Sequence, residues 1–160
     1  IAAVNGYCLA GGMTLLMATD IRLATENASF GLSEVKRGIL PGNGGTQRTL
    51  RQLPYPVAMW LLLSGERLSA EEALKYGLIN EIVSTSELMS EAEKRASIIC
   101  ENGPLAVRAI KELAVKSQYM QLEQGLRMEV MMQSLLKTTE DAVEGPKAFA
   151  EKRKPIFKGK

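Results

Sequence analysis

The chain has 160 residues, 46% of them hydrophobic and 24% charged, with a formal net charge of +2 at neutral pH. That is enough apolar content for a sizeable single core, and too small a charge excess to point to a nucleic-acid partner. Histidine, the commonest transition-metal ligand, is absent, and the two cysteines, Cys8 and Cys100, stand far apart in apolar stretches, so neither a metal centre nor a disulfide framework is expected.

Ile1 to Val4 is an apolar, strand-like run that stops at the turn signal Asn5-Gly6. Gly11-Gly12 then opens a short apolar helix, Met13 to Ala18, too short to cross a membrane. A glycine-rich helix entry leaves backbone N–H groups with no intrahelical acceptor, and such groups bind anionic oxygen well. A second strand is expected at Asp20 to Ala24, with Asp20 capping or pairing structurally. Ser29-Phe30-Gly31-Leu32 leads to Glu34, expected at a strand end or loop that faces a pocket.

Pro41-Gly42-Asn43-Gly44-Gly45 is a tight turn before a helix starting near Thr46-Gln47-Arg48. It lacks the Lys-Ser/Thr pair of a Walker phosphate loop, which argues against nucleotide hydrolysis. Beyond Arg48 the pattern turns mostly helical. Val57 to Leu63 is a compact apolar stretch ended by Ser64-Gly65. Ser69-Ala70-Glu71-Glu72 is a capping box for a helix that stops at Gly77, and Leu78 to Val83 is extended. Ser84-Thr85-Ser86-Glu87 has the pattern of a second capping box, opening a helix that runs towards Glu101 and breaks at Asn102-Gly103-Pro104. Further helices are expected at Leu105 to Ser117, Leu122 to Leu136 and Glu140 to Glu151. Met128, Met131, Met132, Leu135 and Leu136 recur at helical spacing, as a core face or a subunit contact.

Four stretches together resemble the enoyl-CoA hydratase/isomerase, or crotonase, superfamily: AVNGYCLAGGMTLLMATD, FGLSEVKRGILPGNGGTQR, SGERLSAEEALKYGLINEIV and EGPKAFAEKRKPIFKGK. The resemblance covers Ile1 to Lys160 and implies an α/β fold. Residues 1–64 would be the later part of a ββα spiral core with the catalytic positions. Residues 65–160 would be a mainly helical C-terminal region for subunit packing and CoA contacts. It also implies that a segment of spiral core precedes Ile1 and supplies a second oxyanion N–H group. An apolar strand at the very start, with no initiator Met, fits an interior cut.

The resemblance further implies that the Gly11 N–H stabilises the enolate of an acyl-CoA thioester and that Glu34 is the acid/base. The family's hydratases commonly use two glutamates, and the second would fall at Thr14, whose hydroxyl is too weak an acid to serve as a carboxylate. Thr14 can still orient water or a substrate hydroxyl, and the resemblance implies that the Gly42 N–H does the same, a role compatible with that of a plain turn glycine. Shifting a double bond needs only one carboxylate, so isomerisation of an enoyl-CoA is favoured, with hydration or dehydration as the alternative. A non-catalytic CoA- or protein-binding subunit is the reading from another class. For Glu34 the structural alternative is a salt bridge to Lys36 or Arg37. Phe149 and Lys152 match positions that meet the nucleotide end of CoA, although a solvated basic helix end would look the same. No cofactor is expected beyond the CoA carried by the substrate, and the expected partners are an acyl-CoA and further copies of the chain in a trimer or hexamer. Neither a membrane nor nucleic acid is expected as a partner. A reducing compartment, the cytoplasm or the mitochondrial matrix, suits two unpaired cysteines.

Overall fold

A computed structural model describes residues 1–160. The chain divides into two compact units, Ile1–Arg95 and Ala96–Lys160.

The first unit is built from two small sheets that the chain visits alternately. β1 (Ala2–Val4) lies in one sheet. After Asn5-Gly6, where Gly6 takes φ +93, β2 (Tyr7–Leu9) lies in the other, and α1 (Gly11–Leu16) follows. The next turn repeats the pattern. β3 (Arg22–Thr25) pairs parallel with β1 and β4 (Ser29–Gly31) pairs parallel with β2, with Leu9 opposite Gly31. A 3-10 turn, Ser33–Arg37, leads to α2 (Gly45–Gln52) and α3 (Tyr55–Ser64). β5 (Arg67–Ser69) closes the second sheet antiparallel to β4, and after α4 (Ala70–Lys75), β6 (Glu81–Val83) adds to β3 in parallel. Successive ββα turns stacked strand on strand make the expected spiral.

Side chains from every turn of the spiral meet in one core. Met13, Leu16 and Met17 of the α1 region pack with Phe30 and Leu32, with Ala58 and Leu61 of α3, and with Leu68, Ala73 and Leu78. Full burial of one large apolar side chain contributes about 1.5–3 kcal/mol. β1, β2, β4, β5 and β6 have only three residues each, so this packing, rather than intrinsic strand propensity, holds them.

Two expected caps have different outcomes. The Ser69–Glu72 box forms in both directions, with the Glu72 N–H donating to Ser69 Oγ at 3.2 Å and the Ser69 N–H to Glu72 Oε2 at 2.9 Å. The Ser84–Glu87 box does not form. There the Glu87 N–H donates to the Ser84 carbonyl, the Ser84 hydroxyl bonds the Glu87 carboxylate at 2.5 Å, and α5 (Leu88–Cys100) begins only afterwards.

The second unit contains α6 (Pro104–Ser117), α7 (Leu122–Leu136) and α8 (Glu140–Ala150), followed by an irregular tail. The tail folds back onto α8. The buried Asp141 carboxylate accepts the Lys158 N–H at 2.7 Å and the Gly159 N–H at 2.8 Å. Glu144 accepts the Ile156 N–H and both Nη groups of Arg153, which pull its pKa down to about 2. The methionine face of α7 is not a buried core face. Met131 and Leu135 are exposed, whereas Met128, Met132 and Leu136 line a groove of about 670 Å3 along α6 and α7. No helix is long and apolar enough to cross a membrane.

The cysteines differ as well. Cys8 is buried on β2, but Cys100 is exposed, because it ends α5 beside an open groove that it shares with Arg108 and Lys154. Burial pushes the Cys8 thiol up to about 11, against the opposing pull of Arg22. A folded-state value above the unfolded one means that stability is fully present below about pH 9 and is lost as pH rises towards 11. The expected loss is about 2–3 kcal/mol across that window. Denaturant titrations should show this alkaline slope in the natural sequence and a smaller one in Cys8→Ala; equal slopes would assign it to other groups.

Candidate functional site

The two residues singled out for chemistry leave adjacent parallel strands at the same end. β2 finishes at Leu9 and β4 at Gly31, opposite each other, and the Ala10 N–H donates to the Gly31 carbonyl at 2.8 Å. Gly11 is the next residue on the first path, and Glu34 is three residues further on the second. Ligands of α/β sheets are commonly bound beyond the carboxyl ends of parallel strands, where connections diverge.

Ala10 sets the direction of the helix entry. It has φ 50 and ψ −120, a region that a residue with a Cβ adopts at a cost of about 1–3 kcal/mol. This sharp corner turns the chain from β2 into α1, so that Gly11 and Gly12 come first in the helix with N–H groups that have no intrahelical acceptor. Both glycines are exposed, and an added Cβ at either would meet nothing within 4 Å. An acceptor atom can therefore approach this backbone closely. Nothing in an ordinary alanine signals such a corner, and sequence reasoning missed it.

Thr14 lies one helical turn on and is buried. Its hydroxyl donates to the Ala10 carbonyl at 3.3 Å, and its backbone N–H donates to the same carbonyl at 3.0 Å. A Cβ added to Gly45 would stand 3.3 Å from Thr14 Oγ1 and 2.8 Å from Pro41 Cβ, so glycine is required at 45 for the Pro41–Gly45 loop to close over α1. The Gly45 N–H in turn donates to the Gly42 carbonyl at 3.0 Å, and Gly42 itself is exposed on the outer part of the loop. Thr14 and Gly42 thus belong to one contiguous assembly with the Gly11 helix entry.

Glu34 occupies the first turn of the 3-10 segment and is half-buried. Its Oε2 is buried and accepts no hydrogen bond from the protein. The salt-bridge alternative fails for Lys36, which donates to Glu66 Oε1 at 2.7 Å instead. An unsatisfied buried carboxylate oxygen costs at least about 1–3 kcal/mol of desolvation, and groups left in that state concentrate where a ligand or a proton is to be met.

Underneath, Arg22 ties the site's supports together. Buried at the start of β3, it donates from Nη1 to the Leu78 carbonyl at 3.1 Å, and from Nη2 to the Thr19 carbonyl at 2.8 Å and to Gln52 Oε1 at 2.7 Å. Burial lowers the Arg22 pKa, opposed by the nearby charge of Asp20.

Phe149 and Lys152 lie in the second unit. Phe149 is among the most exposed apolar side chains of the chain, and Lys152, at φ 53, donates its N–H to the Phe149 carbonyl at 3.2 Å, so the two stand at the C-terminal end of α8. The neighbouring cations are already engaged: Arg153 with Glu144 and Glu151, Lys154 with Glu101, and Lys158 with Glu140.

The profile of the enoyl-CoA hydratase/isomerase family matches residues 1–160. The (E)-benzylidenesuccinyl-CoA hydratase of Thauera aromatica is 46% identical over 99% of this chain and 62% of its own length. The carnitinyl-CoA dehydratase of Salmonella typhi is 44% identical over 100% of this chain and 63% of its own. Among solved structures, an enoyl-CoA hydratase from Mycobacterium tuberculosis superposes with a TM-score of 0.95 at 39% identity, covering 99% of this chain and 63% of that one. An enoyl-CoA hydratase from Bacillus anthracis gives 0.94 at 42% identity, covering 97% and 60%. The chain thus spans 62–63% of the length of these curated relatives. The spiral of ββα turns and these matches across the chain agree: it belongs to the enoyl-CoA hydratase/isomerase family.

Proposed function

We propose that the protein acts on an acyl-CoA thioester by forming its enolate, with Glu34 as the acid/base carboxylate and the Gly11 N–H as an oxyanion donor. The observation that carries this reading is the buried, unpartnered Glu34 Oε2, three residues beyond a strand whose neighbour ends at the Gly11 helix entry. Glu34 takes the proton from C2, and the C–H electron pair moves towards the thioester, placing negative charge on its carbonyl oxygen. One aimed N–H donor at that oxygen lowers the barrier by about 3–4 kcal/mol in favourable cases.

Two outcomes follow from that enolate. In dehydration the electron pair expels the C3 hydroxyl, which leaves as water with the proton Glu34 collected, and hydration is the reverse. The names of relatives 44–46% identical, a hydratase and a dehydratase, support this outcome, and it is the one we favour. In isomerisation Glu34 returns its proton at C4 of a 3-enoyl thioester and the double bond moves to C2. This second reading, the one the sequence alone favoured, rests on Thr14. Its hydroxyl donates to the Ala10 carbonyl, so no second carboxylate is supplied at that position. Thr14 and Gly42 would then orient water or the reacting end of the acyl chain, and Phe149 and Lys152 the nucleotide end of CoA.

Assays of the full-length protein with crotonyl-CoA and with 3-hexenoyl-CoA separate these outcomes. Faster hydration of the first is expected; fast isomerisation of the second with negligible hydration would reverse the preference. Turnover of neither, with CoA still bound, would leave a binding subunit. The exposed Met131 and Leu135 on α7 support a further part of the reading, burial of that helix against another copy of the chain. A monomeric mass in sedimentation would remove it.

A further inference from the structure

The turn that carries Glu34 is held on either side of that residue by a single segment, Gly65-Glu66-Arg67, which runs from the end of α3 into β5. At the entrance to the turn, a Cβ added to Gly31 would stand 3.0 Å from the Glu66 carbonyl oxygen and 3.2 Å from Arg67 Cγ. Just past Glu34, Gly65 caps α3 at φ +66 against the next two residues of the turn, where a Cβ would stand 3.0 Å from both Val35 Cγ1 and Lys36 Cγ. The third tie is ionic: Lys36 Nζ donates to Glu66 Oε1 at 2.7 Å, and this bond holds the Glu66 carboxyl below its ordinary pKa.

Between these two contacts lie only Leu32, which is buried, Ser33 and Glu34. Glu34 has no side-chain bond that would fix its Oε2. Its position is therefore inherited from the backbone of the turn. An exposed ion pair adds little to overall stability, so Lys36 and Glu66 are not needed for folding. Placement is another matter, since a displacement of about 1 Å at a reacting group costs on the order of 100-fold in rate.

Resting on the Glu34 reading above, we propose that Glu66 is a positioning residue for the Glu34 carboxylate: acting through Lys36, it holds the 3-10 turn against the α3 cap. The test uses the full-length protein and whichever of crotonyl-CoA or 3-hexenoyl-CoA it turns over. Glu66→Gln and Lys36→Met should each lower kcat by about 3–10-fold, KM staying within about twofold and the melting temperature unchanged. The exchanged pair, Lys36→Glu with Glu66→Lys, should restore kcat to within about twofold of the original, because it remakes the tie with its charges reversed. Unchanged kcat in both single variants, or no recovery in the exchanged pair, would overturn the proposal. Glu34→Gln run alongside separates the two levels. If it keeps full turnover the reading of Glu34 falls and the bracket with it, whereas if it loses turnover while the single variants do not, the bracket alone falls.

Discussion

Glu34→Gln is expected to lower turnover of the full-length protein by about 10²–10⁴-fold, the range that a positioned acid/base group supplies. KM should change by less than about threefold, because the amide fills the same half-buried space and leaves the backbone of the turn untouched. The glutamine cannot accept the C2 proton, and hydration and isomerisation should fail together, since both begin by making or consuming the same enolate. A purely structural Glu34 would behave differently. Its Oε2 has no hydrogen-bond partner and its neighbour Lys36 is committed to Glu66, so a structural role predicts turnover within about twofold of the original.

The second large effect concerns stability. Arg22→Met keeps the bulk at a buried position but removes the guanidinium that joins Thr19, Gln52 and Leu78. Two backbone carbonyls and one side-chain oxygen would lose a donor in the interior. Each such loss costs about 1–3 kcal/mol, and relaxation of the Gln52 side chain recovers part of the sum. Net destabilisation of about 2–5 kcal/mol is expected in denaturant unfolding, large against a total stability of about 5–15 kcal/mol. Arg22→Lys should fall between, since one ammonium cannot reach all three acceptors in the fork geometry of a guanidinium. A change below about 0.5 kcal/mol in Arg22→Met would show that the knot under α1 and α2 is not what holds them.

The local elements of the candidate site were legible because they are written in local punctuation. Gly11-Gly12 before an apolar run marks a helix entry in any context, and the PGNGG turn announced the loop that closes over Thr14. Long elements were legible for the same reason: α6, α7 and α8 stand within one residue of their expected limits, since their apolar spacing extends over several turns. Strands of three or four residues are too short to show a period, so β2 and β5 were missed and β3 was placed early, from Asp20 instead of Arg22. The two Ser-x-x-Glu patterns look alike as strings. They part because Ser69 presents its hydroxyl to the Glu72 N–H, whereas the Ser84 hydroxyl bonds the Glu87 carboxylate. The strained corner at Ala10, the orphan oxygen of Glu34 and the Lys36–Glu66 tie arise from tertiary placement, for which adjacent sequence has no signal.

Proton exchange at C2 tests the enolate chemistry directly, without deciding in advance whether water is added or a double bond moved. Butyryl-CoA is incubated in D2O with the full-length protein and followed by proton NMR, alongside Glu34→Gln. Loss of the C2 signal to deuterium with the unaltered protein, slowed by at least about 100-fold in the variant, is the expected result. Equal exchange in the two proteins would contradict Glu34 as the base that forms the enolate.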